Sequence, residues 1–262
     1  MPMKEYSNII IHNNEDYKSM RKAGNIAASI LDFIECFVKP GITTDELNTL
    51  CHNKIIENGA VPAPLNYKGF PKSICTSVNH VVCHGIPKEK KLIEGDIVNI
   101  DVTVIVNGWH GDTSRMYHVG NKIPIKAKKL VEVTYEAMMR GIEIVKPGIP
   151  LYTIGKVIEE YVNKFGYSAV REYCGHGIGK DFHTSPSILH YYDKRNDLRL
   201  KEGMFFTIEP MINTGGWKTR ILDDGWTVVT KDHSLSAQFE HTIAVTSDGY
   251  EIFTESKKSN VD

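Results

Sequence analysis

The chain has 262 residues, of which 41% are hydrophobic and 24% charged, and its formal net charge is -1. This balance argues against a protein that binds nucleic acid through bulk electrostatics. No apolar run approaches the ~18 residues of a membrane span, and the start of the chain does not resemble a signal peptide. The five cysteines form no Cys-x-x-Cys pair, which argues against a zinc ribbon or a disulfide framework. We therefore expect a cytoplasmic protein.

Along the chain, the first elements predicted are two helices. Asn14 is expected to cap a first helix, which ends before Lys39-Pro40-Gly41. Thr43 and Glu46 form a capping box for a second helix, and Gly59 is expected to close it. The pattern then changes to that of β-strands.

The segment 97–106 is the clearest strand. Its even-numbered residues are apolar, whereas Asn99, Asp101 and Thr103 share the opposite face. The Asn107-Gly108 pair that follows is typical of a two-residue hairpin turn. With that turn Asp112 lies opposite Thr103 and diagonal to Asp101, so the two carboxylates are placed to converge on metal ions.

The second half of the chain repeats this order. Val38-Lys39-Pro40-Gly41-Ile42 recurs as Val145-Lys146-Pro147-Gly148-Ile149, and Leu92-Ile93-Glu94-Gly95 recurs at nearly the same offset as Leu200-Lys201-Glu202-Gly203. Two helical patterns again precede strands, with Ile154 and Ile158 on the second helix. We predict one domain over residues 1–262, built from similar halves at roughly 15–120 and 121–255.

Carboxylates also lie inside predicted strands of the second half. Glu209 follows Ile208 in the strand 204–209 as Asp101 follows Ile100, and Glu240 alternates with apolar residues near the C-terminus. Acidic residues are depleted in strands, and buried carboxylates repel one another unless a cation lies between them. A shared cation site is therefore favoured over solvated strand positions.

Histidines in glycine-rich settings complete this pattern. His176 lies in Cys174-Gly175-His176-Gly177-Ile178-Gly179, where glycines are expected to permit tight curvature around a ligand. His84 has a similar His-Gly-Ile setting, and His183 follows His176 by seven residues. Four carboxylates with one imidazole suit two divalent ions such as Mn, Fe, Co or Zn, among which the sequence does not choose.

Five motifs, in order, resemble the type I methionine aminopeptidases. They are Asn99-Ile100-Asp101-Val102, His110-Gly111-Asp112-Thr113, Gly175-His176-Gly177-Ile178-Gly179, Thr207-Ile208-Glu209-Pro210-Met211 and Phe239-Glu240-His241-Thr242. The resemblance covers nearly the whole chain and is closest to the short bacterial form. It implies the α/β pita-bread fold, in which two pseudo-symmetric αβ halves with central antiparallel sheets surround a dinuclear metal site.

The resemblance also implies roles for individual residues. Its metal ligands correspond to Asp101, Asp112, His176, Glu209 and Glu240, with Asp112 and Glu240 bridging the two ions. Glu209 would carry a proton, while His84 and His183 would contact the substrate without binding metal. The methionine pocket would be lined by Tyr67, Phe70, Cys75, Phe182 and Trp226. Pro64 departs from the pattern, since some members have a pocket cysteine there. A monovalent cation would bind backbone carbonyls of Asn79, Val81 and Ser236.

The implied activity is removal of the initiator methionine from nascent polypeptides whose second residue is small. The resemblance further implies a cytoplasmic monomer in transient contact with the ribosome, without a nucleic-acid cofactor or a membrane partner. Two alternatives stay open. A Xaa-Pro aminopeptidase or dipeptidase of the same fold would use the same ligands but usually carries an additional N-terminal domain. A non-catalytic binding protein of this fold would have lost metal ligands.

Overall fold

The computed structural model describes residues 8–256 of the chain. Within this range the helices are α1 Asn14–Ile34, α2 Thr44–Glu57, α3 Ile125–Glu143 and α4 Tyr152–Asn163, with short 3₁₀ helices at Glu35–Phe37 and Tyr67–Gly69. None of the described helices is both long enough and apolar enough to cross a lipid bilayer.

The strands of residues 8–256 belong to antiparallel sheets. They are β1 Val61–Pro62, β2 Cys75–Val78, β3 Val81–Cys83, β4 Ile97–Val106, β5 Trp109–His118, β6 Ser168–Ala169, β7 Gly175–Gly177, β8 Thr184–Ile188, β9 Phe205–Ile208, β10 Met211–Asn213, β11 Thr219–Ile221, β12 Val228–Thr230, β13 Ser236–Gln238, β14 Glu240–Val245 and β15 Tyr250–Ile252. The largest sheet has the order β1-β4-β5-β14-β9-β7-β8, with β2 also paired to β4 and β15 to β14. Strands of both halves of the chain therefore share one sheet.

The first helix begins one residue earlier than its predicted cap allows. Asn13, and not Asn14, is the N-cap, and its side chain accepts hydrogen bonds from the N–H groups of Glu15 and Asp16. Asp16 in turn accepts from the N–H of Asn13 at 3.0 Å. An acidic residue three positions after the cap is what makes this exchange reciprocal, and a cap at Asn14 would have Tyr17 in that place. The prediction of Asn14 was therefore wrong by one residue.

The second helix follows its sequence signals. Thr43 Oγ1 accepts from the N–H of Glu46 at 3.0 Å, and the Glu46 carboxylate accepts from the N–H of Thr43 at 2.7 Å. Gly59 follows the C-cap with a φ of 69°, in the left-handed region that commonly ends helices. The capping box and the closing glycine are both confirmed.

Strand β4 separates the helical layer from the opposite, polar face of the sheet. Its even-numbered residues Val98, Ile100, Val102 and Val104 are fully buried in the core that includes α1 and α2. Helix α1 lies directly on β5 at Gly111, where a Cβ atom would come within 2.4 Å of the Ala23 carbonyl carbon. The odd-numbered face of β4 is thereby left for the polar residues.

The internal repeat has a counterpart in the hydrogen bonds. Gly41 N–H donates to Leu92 O at 2.8 Å, and at the equivalent place in the second half Gly148 N–H donates to Leu200 O at 2.8 Å. Helices α3 and α4 pack with β9, β10, β13 and β14 in a second core. The two halves thus repeat both a contact and a layer order, while the extent of the domain, 1–262, stays a prediction.

Candidate metal centre

The turn between β4 and β5 sets the position of the first two carboxylates. Asn107 and Gly108 have φ values of 51° and 81°, and positive φ at both central residues is what a type I′ hairpin requires. In the resulting register Thr103 pairs with Asp112, and Thr103 Oγ1 donates to Asp112 Oδ1 at 2.6 Å. Asp101 lies two residues before Thr103 on the same face, so the predicted diagonal arrangement is confirmed.

Strand β14 joins the acidic residues of the two halves. Glu240 pairs with Ser114 of β5, and Thr242 pairs with Thr207 of β9. Because paired residues of antiparallel strands point to the same side, these side chains continue the polar face across the sheet. Glu209 comes directly after β9, and its Oε1 accepts a hydrogen bond from Thr207 Oγ1 at 2.8 Å.

His176 presents a lone pair to this face. Its Nδ1 lies 3.1 Å from Gly177 O, and since a carbonyl only accepts, Nδ1 carries the proton. The unprotonated Nε2 lies 3.7 Å from Asp112 Oδ2 and 3.5 Å from Glu209 Oε1. Burial lowers the pKa of His176 to about 4, which keeps the imidazole neutral. Acceptor atoms at these distances repel one another, and a cation placed between them would remove this repulsion.

The glycines beside His176 act differently from the prediction. A Cβ atom at Gly175 would lie 2.3 Å from Thr207 O, and one at Gly177 would lie 2.1 Å from Ser185 O. Neither residue is among those with positive φ. The prediction of tight curvature was therefore wrong in its reason, because these glycines permit close approach of the neighbouring backbones.

The predicted ligands converge to different degrees. Ligand atoms of Asp112, His176 and Glu240 all lie within 4.8 Å of one another. Glu209 joins them through its contact with His176 Nε2. Asp101 flanks the group from β4, where it pairs with Ser114 and is half-buried.

The electrostatics of these carboxylates favour a bound cation. Burial raises the pKa of Asp101 to about 7 and raises those of Asp112, Glu209 and Glu240 well above the usual range, with mutual repulsion adding to the effect of burial at the last three. Within residues 8–256, these carboxylates form ion pairs with His176 but with no lysine or arginine. Oxygen ligands with one imidazole and no compensating side chain fit divalent cations of hard to borderline character.

One group of predicted substrate residues lies against the His176 ring. The Tyr67 hydroxyl and His183 Nδ1 are joined by a hydrogen bond of 3.1 Å. The Phe182 ring lies 4.9 Å from that of Tyr67 and 4.2 Å from that of His183. The His183 ring is in turn 4.2 Å from that of His176. Aromatic residues of two distant segments therefore form one wall beside the candidate ligands.

The other predicted substrate residues form a second aromatic group. The Trp226 ring lies 5.2 Å from that of Phe70 and 6.2 Å from that of His84. His84 has a φ of 53°, which is uncommon for a residue other than glycine. Tyr173, which sequence reasoning missed, contributes a ring 5.6 Å from His84.

The remaining pocket residues lie at the first half's side of the site. Cys75 is the cross-strand neighbour of Asp101, and burial raises the pKa of its thiol well above the usual range. A neutral, polarisable thiol suits an apolar pocket. Pro64 is buried, and its carbonyl accepts from the N–H of Tyr67 at 3.0 Å.

The residues expected at a monovalent cation lie on neighbouring segments. The N–H of Ser236 donates to Asn79 O at 2.9 Å, so these two backbones are in contact. Val81 begins β3, and β3 packs against β13, which begins at Ser236. The cation itself stays a prediction.

Some residues of the site carried little signal in the sequence. Thr103 and Thr207 lie on the predicted polar faces, but their hydrogen bonds to carboxylates depend on side-chain geometry. His190 is buried, and its Nε2 accepts from the N–H of Glu209 at 3.0 Å. Its sequence setting, Leu189-His190-Tyr191, has no feature that could have indicated this contact.

The chain is similar to known metallopeptidases over nearly its whole length. The sequence model of the metallopeptidase family M24 matches residues 18–247. The chain is 63% identical over 251 residues to methionine aminopeptidase of Rickettsia prowazekii, covering 95% of this chain and 96% of that protein. It is 52% identical over 255 residues to methionine aminopeptidase of Escherichia coli K12, covering 97% of this chain and 96% of that one.

Solved structures agree in fold. The crystal structure of methionine aminopeptidase from Rickettsia prowazekii matches with a TM-score of 0.92, over 94% of this chain and 100% of that one, at 63% identity. Prolidase from Pyrococcus furiosus matches with a TM-score of 0.76 at 23% identity, over 97% of this chain and 67% of that one. The second likeness concerns the fold alone.

Proposed function

The chain belongs to the metallopeptidase family M24, and we propose that it acts as a methionine aminopeptidase that removes the initiator methionine from polypeptides whose second residue is small. The observation that carries this proposal is the convergence of Asp112, His176 and Glu240 on one buried face, in a chain that is similar to such enzymes over nearly its whole length.

The proposed chemistry assigns separate tasks to the polar residues. A divalent cation would be held by Asp101, Asp112, His176, Glu209 and Glu240, and it would polarise a carbonyl as a Lewis acid and make a water molecule more acidic. Glu209 is the residue that accepts and returns the proton in this proposal, a role that the resemblance favours, and its Oε1 lies at the metal face, 3.5 Å from His176 Nε2. His84 and His183 donate hydrogen bonds to the peptide and to the oxyanion that develops from its carbonyl.

The aromatic groups would select the side chain of the first residue. Tyr67, Phe70, Phe182 and Trp226 offer flat apolar surfaces, and Cys75 offers a polarisable one, so an unbranched thioether fits between them. The ring contacts of Tyr67 with Phe182 and His183 brace one wall of the site. A braced wall leaves limited room for the side chain of the second residue.

Further features of the proposal concern metals and partners. The donor set of four carboxylates and one imidazole balances two dications, and we propose Mn, Fe, Co or Zn in this role. A monovalent cation near Asn79, Val81 and Ser236 is supported by the hydrogen bond between the Asn79 and Ser236 backbones and by the packing of β3 against β13. Nascent chains as substrates favour a cytoplasmic, monomeric enzyme in transient contact with the ribosome.

Peptide hydrolysis tests the proposed function directly. We expect the metal-loaded protein to release methionine from Met-Ala-Ser and to leave intact Xaa-Pro dipeptides whose first residue is not methionine, as followed by chromatography of the products. Hydrolysis of the Xaa-Pro dipeptides with no release of methionine would favour the dipeptidase alternative. A metal-loaded protein that cleaves neither substrate would favour a binding protein.

Replacing the two proposed substrate histidines should separate turnover from metal binding. We expect His84→Ala and His183→Ala to keep the metal affinity of the unmodified protein while kcat falls about 10²-fold, the scale on which one oxyanion donor acts. His176→Ala is the comparison variant and should lose metal affinity too. Calorimetric titration with Mn²⁺ and steady-state kinetics measure the two quantities, and loss of metal from His84→Ala would contradict the division of roles.

A further inference from the structure

Glu209 is held by two hydrogen bonds to buried groups, one at its side chain and one at its backbone N–H. We propose that Thr207 and His190 are positioning residues that orient Glu209, and with it His176, for metal binding. This inference rests on the proposed function, in which Glu209 is both a ligand and the proton carrier.

The Thr207 hydroxyl connects two candidate ligands. Its Oγ1 accepts from the N–H of His176 at 3.0 Å and donates to Glu209 Oε1 at 2.8 Å. Thr207 is fully buried, so water does not compete for these bonds. Glu209 Oε1 is also the atom that lies 3.5 Å from His176 Nε2. One hydroxyl therefore fixes the carboxylate relative to the imidazole.

The direction of these hydrogen bonds follows from the donor inventory. The backbone N–H of His176 can only donate, so it uses an oxygen lone pair of Thr207 and leaves the hydroxyl proton free for Glu209. The other carboxylate oxygen, Oε2, accepts from Gln238 Nε2 at 3.2 Å. Each oxygen thus has a donor on the protein side and a remaining lone pair for a cation.

His190 holds the backbone of the same residue. The N–H of Glu209 donates to His190 Nε2 at 3.0 Å, and His190 is 1% exposed. Glu209 directly follows the last residue of β9, so the sheet ladder does not fix its backbone as it does within the strand. The imidazole accepts the hydrogen bond that a strand partner would otherwise accept, and it thereby fixes the backbone position from which the Glu209 side chain extends.

Within residues 8–120 the structure shows no hydroxyl that links two candidate ligands, which argues that this tie is a specific feature of Glu209. In the repeat, Asn99 precedes Ile100 and Asp101 just as Thr207 precedes Ile208 and Glu209. The Asn99 Nδ2 donates to Ser114 Oγ at 3.1 Å and to Gln238 O at 2.8 Å, and so to no candidate ligand. The hydroxyl link between two ligands therefore belongs to the second half.

The experiment compares variants that remove the hydroxyl or keep it. We expect Thr207→Val to weaken Mn²⁺ binding to the metal-free protein about 10–100-fold, the scale of lost outer hydrogen bonds to metal ligands. Thr207→Ser should restore most of the affinity. The matched control is Thr134→Val in α3, which removes a fully buried hydroxyl that donates to Leu130 O at 2.8 Å. Titration calorimetry gives the affinities, and visible absorption of the Co²⁺-loaded protein reports ligand geometry, which a merely structural role would not change.

The role of His190 is tested by comparing a variant that removes the hydrogen-bond acceptor with one that keeps it. His190→Leu should weaken Mn²⁺ binding about tenfold or more, and His190→Gln, whose side-chain oxygen can accept the same N–H, should recover part of it. Should Thr207→Val fail to fold, Thr207→Ala removes the same hydroxyl with less volume and is read in the same way.

The outcomes distinguish this inference from the proposed function. Wild-type Mn²⁺ affinity and an unchanged Co²⁺ spectrum in Thr207→Val and His190→Leu, together with lost affinity in His176→Ala, would overturn the positioning roles alone. Wild-type Mn²⁺ affinity in His176→Ala would overturn the metal site itself. Equal losses in Thr207→Val and Thr134→Val would assign the effect to general destabilisation and would also overturn the inference.

Discussion

Asp112→Asn is expected to lower kcat/KM for a Met-Ala peptide by about 10³-fold or more, which corresponds to ~4 kcal/mol of lost transition-state stabilisation. The physical reason is that Asp112 contributes to the closest group of ligand atoms, together with His176 and Glu240. An amide removes a negative charge where the cation would sit. Steady-state kinetics with a metal-buffered assay gives the ratio.

A carboxylate outside the site supplies the control for this prediction. Asp32 pairs with Arg115 at 2.9 Å on the helical side of the sheet, so Asp32→Asn loses an ion pair without losing a metal ligand. We expect Asp32→Asn to keep most of its activity. Metal-stripped wild-type protein should be inactive and should recover with added Mn²⁺ or Co²⁺, and full activity after stripping would contradict a metal-dependent mechanism.

Thermal stability provides a second readout of the same site. Burial raises the pKa of Asp101 from 3.8 to about 7. Unfolding therefore releases a proton between these two values, and the free energy of unfolding of the metal-free protein falls as pH rises from about 4 to about 7. A bound cation removes this cost, and ~100 Kd of free metal adds ~2.7 kcal/mol of stability. For a chain of this size we expect a rise in Tm of roughly 5–10 °C. Asp112→Asn should show a smaller rise.

Peptides with a large second residue are expected to be cleaved at least ~10²-fold less efficiently than those with a small one, because a misplacement of about 1 Å at the reacting atoms has this cost. Met-Ala, Met-Gly, Met-Ser and Met-Pro peptides should be substrates, whereas Met-Leu and Met-Lys should be nearly inert. The steric reason is the braced aromatic wall, in which Tyr67 contacts both Phe182 and His183.

Variation of the first residue is the control for this specificity. Norleucine keeps the unbranched shape of methionine and should be accepted far better than valine, whose β-branch meets the pocket wall near the backbone. Competition kinetics on mixed peptides measures all ratios in one experiment. Comparable kcat/KM for Met-Ala and Met-Leu peptides would refute the narrow site without affecting the metal chemistry.

Features governed by local periodicity could be predicted from the sequence. The alternation along 97–106 assigned Asp101 and Thr103 to one face, and Asn107-Gly108 fixed the register that places Asp112 opposite Thr103. Both signals act over a few residues, where backbone sterics and side-chain period determine the outcome. The offset between the repeats likewise gave the layer order of two helices followed by strands.

Features that depend on contacts between distant segments were decided by the tertiary structure. The sequence alone determined the two-part α/β organisation, the strand faces and the set of acidic residues, because these follow from spacing along the chain. Only the fold decided that Glu240 of β14 pairs with β5 and that the Thr207 carbonyl packs against Gly175. The fold also decided that His190 accepts a hydrogen bond from Glu209. These contacts join residues whose separation is set by sheet pairing and core packing, and no local pattern of residue types encodes which surfaces will meet.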